Sequence, residues 1–183
     1  MLSQADFLTL IVILTLWYSF NPTPANAMPP SDKRAMPNMR YVLALKTMPP
    51  GAFFGIVWFV LYGLIALSLF YFWRDASSDS RYTVVLLLYI VNLFANKLYT
   101  PIFFGMQSPV GGLVVLLITL VSAGIILLYL GFVLGSSVSF WLFVPYVVWL
   151  LVAMGLHVKF MVVYMAIDDD EKTKVAVKEK IKF

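Results

Sequence analysis

The residues able to do chemistry in this chain are few, and their spacing is helical. Tyr89, Asn92, Asn96 and Tyr99 follow i, i+3, i+7, i+10. Trp149, Ala153 and His157 follow i, i+4, i+8, and Trp58 and Tyr62 are four apart. Each set therefore lies along one side of a helix. Amides, phenols and an imidazole inside apolar runs need a hydrogen-bond partner or a wet cavity. Two arrangements meet that need. In the first, the groups bond from helix to helix and knit a bundle, each worth about 0.6–2 kcal/mol. In the second, they line a shared pocket for a large flat ligand, with aromatic walls and a few orienting polar tips. Ala153, between two large neighbours, leaves a notch on its face. His157 is the only histidine. One neutral imidazole suffices as an axial ligand to a haem iron, whereas a lone histidine in an apolar helix more often serves packing.

Other chemistry is poorly provided for. Between Leu98 and Val158 there is no Asp, Glu, Lys or Arg, and the chain has no Cys. A Ser-His-Asp set, a carboxylate pair or a thiolate nucleophile cannot be built inside the apolar segments. Nor can a disulfide frame or a thiolate metal site. The acidic quartet Asp168–Glu171 reads as a solvated charge run. Gly131 and Gly135 form a small-xxx-small pair suited to helix packing or a dimer. A sterol motif fails in the last apolar segment, because Tyr164 is followed by Met-Ala-Ile-Asp-Asp with no basic residue in reach. Lys97 and Lys159 lie within apolar stretches and are predicted to snorkel to an interface.

These residues must be positioned by membrane helices. The chain is 62% hydrophobic and 12% charged, with a mean hydropathy of +0.91, more apolar surface than one soluble core hides. Five apolar segments stand out, at about Ala5–Phe20, Gly51–Trp73, Tyr82–Gly105, Val110–Leu134 and Ser139–Ile167, separated by Pro, Gly, Ser and Asp breakers. Their length excludes barrel strands. The fold class predicted is all-α, an integral membrane bundle of five transmembrane helices. The first segment is short, carries Asp6 and precedes Ala25-Asn26-Ala27, which resembles a signal-peptidase site. Its n-region lacks Lys and Arg, which favours a retained helix.

Basic residues set the orientation. Lys33, Arg34, Arg40, Lys46 and the tail lysines 172, 174, 178, 180 and 182 share one side, against Arg74 and Arg81 on the other. The Pro-rich loop and C-terminus are thus expected in the cytoplasm. The net charge of +4 lies outside the spans and suits anionic headgroups rather than nucleic acid. The chain divides into residues 1–40 (first helix and Pro-rich loop), 41–167 (helical core) and 168–183 (charged tail).

Three stretches in order, "PPGAFFGIVWFVLY", "NKLYTPIFFG" and "PYVVWLLVAMGLH", resemble the TspO/MBR family of tryptophan-rich sensory and translocator proteins. That family's stretches read roughly PPxWxFGxVWxxLY, QLxLNxxWxPxFFG and PYxxWxxxAxxLN, and the likeness covers about residues 41–167. The resemblance implies a five-helix bundle, commonly a homodimer, whose pocket takes porphyrins, haem, sterols or synthetic aromatic ligands. It implies Pro49 and Pro50 closing the loop over the cavity. Trp58, Tyr62, Asn96, Trp149, Ala153 and Leu156 would line it, with Asn92, Tyr99 and His157 on the same faces. No cofactor is required, although a porphyrin or haem is an expected guest. Ala52 stands where the family has Trp, Asn92 where it has Gln, Tyr99 where it has Trp and His157 where it has Asn. The leading expectation is a membrane receptor or binding protein for tetrapyrroles or similar flat lipophiles, in sensing, transport or disposal. A photo-oxidative porphyrin-degrading enzyme and a non-catalytic scaffold are the alternatives. A eukaryotic member is expected in the mitochondrial outer membrane or secretory system, a bacterial one in the cell envelope.

Overall fold

A computed structural model describes residues 4–19, 51–75 and 80–180. Among these residues five α-helices follow one another: α1 (Gln4–Ser19), α2 (Gly51–Arg74), α3 (Ser80–Thr100), α4 (Pro109–Leu128) and α5 (Ser137–Lys180). No strand occurs among the described residues. Stretches of α2 to α5, over Ala52–Arg74, Arg81–Gly105, Pro109–Val133 and Ser137–Ala166, are long and apolar enough to cross a bilayer. The 16 residues of α1 reach about 24 Å, short of a ~30 Å hydrocarbon core. The chain is a multi-pass integral membrane protein, and the five-helix expectation holds.

Two helix ends differ from the sequence reading. The third and fourth apolar segments do not finish as regular α-helix. Each passes into a five-residue π-helical turn, Pro101–Gly105 and Tyr129–Val133. In the first, Pro101 has no N–H for the regular ladder, and the widened turn closes by Met106 N–H donating to the Pro101 carbonyl at 2.8 Å. In the second, Leu134 N–H donates to the Tyr129 carbonyl at 2.9 Å, and Gly135 at φ +63° reverses the chain. The new helix α4 is capped by Ser108, whose Oγ accepts from Gly111 N–H at 3.1 Å, with Pro109 in the first turn.

The fifth helix also runs further than expected, to Lys180 rather than Ile167. No Gly or Pro follows Gly155, and Asp168 and Asp170 precede Lys172 and Lys174 by four residues.

The principal packing runs α1 on α2, α2 on α5, α5 on α4 and α4 on α3. The core along this path is almost solvent-free, with Ile65, Ala66, Val85, Ala123, Ile126, Leu130, Phe143 and Leu150 all at 0% exposure. Large apolar side chains such as Phe59, Phe94, Phe132 and Trp141 point outward, as expected where lipid rather than water is the solvent. At the end of the bundle near the α2–α3 connection, Phe72 packs on Tyr82 and Tyr89. There Ser68 Oγ donates to the Ser139 carbonyl at 2.7 Å, which leaves it to accept from Tyr89 OH at 2.8 Å.

Two glycines permit close approach. A Cβ on Gly131 would lie 2.9 Å from the Phe140 ring, so that glycine accommodates an aromatic of its own chain. A Cβ on Gly112 would lie 2.8 Å from Phe103 Cδ2 and 3.1 Å from His157 Cε1. Gly112→Ala is expected to lower the thermal midpoint of the detergent-purified protein, by about 1–3 kcal/mol of overpacking. Gly124→Ala, with nothing within 4 Å of the added carbon, should leave the midpoint unchanged or slightly higher.

Candidate functional site

One directional chain of hydrogen bonds crosses the bundle. Tyr62 OH on α2 donates to Asn96 Oδ1 on α3 at 2.8 Å. The Asn96 amide donates to Tyr146 OH on α5 at 3.3 Å, and Tyr146 OH donates to Asn92 Oδ1 at 2.8 Å. The Asn92 amide finishes on α4, at the Thr119 carbonyl (2.8 Å) and Ser122 Oγ (2.9 Å). Ser122 passes its own proton to the Ile118 carbonyl at 2.7 Å. The Tyr146 and Ser122 hydroxyls both give and receive, and Tyr62 OH gives, so four helices are tied in one run. The oxygen and the nitrogen of each amide, Asn92 and Asn96, are thereby engaged as struts.

Tyr146, at 0% exposure, is the hub of this chain and was absent from the residues singled out by spacing. The signal was present: Tyr146, Trp149, Ala153 and His157 follow i, i+3, i+7, i+11, a single helical face. Thr119 and Ser122 on α4 were also missed. Their hydroxyls bond back to carbonyls of their own helix (Thr119 Oγ1 to Val115, 2.8 Å), an arrangement that leaves nothing unusual in sequence.

Beyond the hub lies a cluster of rings from α2 and α5. Trp58 sits 5.4 Å from Tyr62, 6.2 Å from Tyr146 and 6.5 Å from Trp149, the last two edge to face. Phe53 and Phe54 flank Trp149 at 6.0 and 5.9 Å. Trp58, Trp149 and Ala153 are half-buried against the core, and Leu156 is half-buried on the same helix. Within this cluster the Trp149 Nε1–H is buried with no hydrogen-bond acceptor among the described residues. Buried indole donors normally find a partner. Pro49 and Pro50, expected to close the loop above, lie outside the described residues.

Tyr99 and His157 form a separate station. Nε2 of His157 lies 3.1 Å from the Pro109 carbonyl, which can only accept, so Nε2 carries the proton. The bare Nδ1 then accepts from Tyr99 OH at 2.9 Å. Phe103, Phe160 and Tyr99 surround the imidazole at 5.1, 6.0 and 5.8 Å between ring centroids. Both nitrogens are occupied, and an iron at either would have to displace Tyr99 or the Pro109 carbonyl. His157 therefore does not fit an axial haem ligand in this arrangement. It fixes the start of α4 against α5.

Lys97 finds partners on two neighbouring helices. Its Nζ lies 4.0 Å from the centroid of the Tyr62 ring and donates to the Trp17 carbonyl at 2.6 Å. The carbonyls of the last turn of α1 attract a cation, and the ring face adds to it. Lys159 is exposed on α5.

Tyr146→Phe keeps the ring contacts but leaves Asn92 Oδ1 and Asn96 Nδ2 without their partner. A loss of about 1–3 kcal/mol is expected, read as a lowered unfolding midpoint in detergent. Tyr129→Phe, outside the hydrogen-bond chain, is the neutral reference.

Residues 27–163 match the model of the TspO/MBR family. Protein CrtK of Rhodobacter capsulatus is 33% identical over 118 residues, covering 60% of this chain and 68% of that protein. The tryptophan-rich protein TspO of Archaeoglobus fulgidus is 32% identical over 110 residues, with the same coverage. That of Chlorobaculum tepidum is 32% identical over 109 residues. A family match across most of the chain, on a bundle of five membrane helices, makes this protein a member of the TspO/MBR family and so a membrane sensory or binding protein.

Proposed function

We propose that the chain binds a tetrapyrrole, or a similarly flat lipophile such as a sterol, against the rings of α2 and α5, and acts in its sensing, transport or disposal. Trp58, the ring face of Tyr62, Trp149, Ala153 and Leu156 are the contact residues, with Pro49 and Pro50 expected over them. Asn92 and Asn96 hold Tyr62 and Tyr146 in place rather than touch the guest.

The observation that carries this reading is the Trp149 Nε1–H, buried beside three other rings and without an acceptor among the described residues. Leaving such a donor unmet costs about 1–3 kcal/mol, and a ligand bringing an oxygen or the π-face of a macrocycle to it recovers part of that cost. The rings meet edge to face or tilted, which leaves faces for a flat guest to stack on. A porphyrin or haem would be held by its rim and faces, without His157 on the metal. Two further features belong to the same proposal. The basic loop and tail lie in the cytoplasm, by the positive-inside rule, and the working unit is a homodimer, as in the family it resembles.

The test is a titration of the detergent-purified protein with protoporphyrin IX and with haemin, following tryptophan quenching and the Soret band. Saturable quenching is expected in the wild type, weakened about tenfold or more in Trp149→Ala and less in Trp149→Phe, which keeps the ring and loses the donor. His157→Ala should leave the Soret position of bound haemin unchanged. Absence of saturable binding by either compound would overturn the reading.

A further inference from the structure

Lys97 is a cation within the apolar span Arg81–Gly105, and its partners among the described residues leave part of its bonding capacity over. Its ammonium has three donors. One goes to the Trp17 carbonyl and the Tyr62 ring face takes up another direction. Its contacts among the described residues are a carbonyl and a ring, with no carboxylate at ion-pair distance. The side chain is half-buried. An unneutralised charge in an apolar span is costly and marks a functional position unless a counter-charge is supplied.

Its position says where that counter-charge would come from. Tyr62, on which the ammonium rests, is the ring next to Trp58, and Trp58 is next to Trp149. Among the described residues, the run of rings thus carries an indole N–H without an acceptor at one end and an ammonium without a carboxylate at the other. A flat ligand lying against the half-buried Trp58, with an oxygen or its face to the Trp149 N–H, presents its far edge past Tyr62 towards Lys97. A carboxylate at that edge gains a charge-assisted hydrogen bond and neutralises the cation. An ester or a sterol hydroxyl offers no such neutralisation.

Resting on the pocket reading above, we propose that Lys97 makes the site selective for flat ligands bearing a carboxylate on their rim. Its bond to Trp17 also couples occupancy to α1, because a carboxylate competes for the ammonium that holds the last turn of that helix.

The experiment compares protoporphyrin IX, a dicarboxylic acid, with its dimethyl ester, by tryptophan quenching in the full chain. Wild type, Lys97→Met, Lys97→Gln and Lys97→Arg are titrated side by side. Partition of each porphyrin into micelles is common to all proteins and cancels when their acid-to-ester affinity ratios are compared. The wild type and Lys97→Arg are expected to favour the acid about tenfold or more over the ratio seen in the two neutral variants. The ester should bind all four proteins alike. A ratio unchanged by removing the charge overturns the proposal, as does an equal loss for acid and ester, which marks a purely structural lysine. Two neutral side chains of different polarity guard against one variant misfolding. If neither porphyrin binds the wild type saturably, the pocket reading fails and this inference with it. If both bind with the charge irrelevant, the pocket stands and the inference alone falls.

Discussion

In a bilayer the apolar faces of helices gain little by leaving lipid for one another, so close packing and polar contacts must hold a bundle together. Here that duty falls on the chain Tyr62–Asn96–Tyr146–Asn92–Ser122, which joins α2, α3, α5 and α4 with each donor matched to an acceptor. Any one link left open would strand a neighbour, because no water stands ready at that depth. The chain therefore acts as a unit. Its directionality, fixed by the carbonyl acceptor of Thr119 at the end, also fixes which way each amide faces.

The site follows from that constraint. With Tyr62 and Tyr146 held by their hydroxyls, their rings are fixed, and Trp58 is set against both. The ring cluster is built on a rigid polar floor rather than on mobile side chains, which is what preorganised recognition asks for. Among the described residues, the hydrogen-bonded chain stands beside an indole N–H with no acceptor and an ammonium with no carboxylate. In a bundle that pairs its other interior polar groups so fully, these two are the exceptions to explain. Both lie along the same run of rings.

The π-helical turns serve positioning as well. The turn at Pro101–Gly105 buries Phe103 against His157 and Phe160. Gly112 on the next helix is small enough to admit both Phe103 and His157. The α3–α4 connection is thereby locked to α5 by an imidazole bonded at both nitrogens. His157 is the most reactive-looking residue in the sequence, yet its two bonds make it a fastener.

What the sequence determined by itself was local and periodic. Hydropathy located the spans, because crossing a hydrocarbon layer demands about 20 apolar residues in a row. Helical spacing gathered Tyr89, Asn92 and Asn96 on one face, because the backbone ladder fixes the angle between successive side chains. Family likeness was legible in short blocks for the same reason. Which polar atom met which was settled only by tertiary structure. Tyr146 and Tyr99 occupy equally plausible faces, yet one became the hub and the other the partner of His157, because hydrogen bonds depend on tenths of an ångström between different helices. Lys97 reads locally as a snorkelling side chain, and its partners, a carbonyl in the last turn of α1 and the face of Tyr62, are remote in sequence. Spacing could name the indole of Trp149 as a wall, but its missing acceptor emerged only once the neighbouring rings were in place.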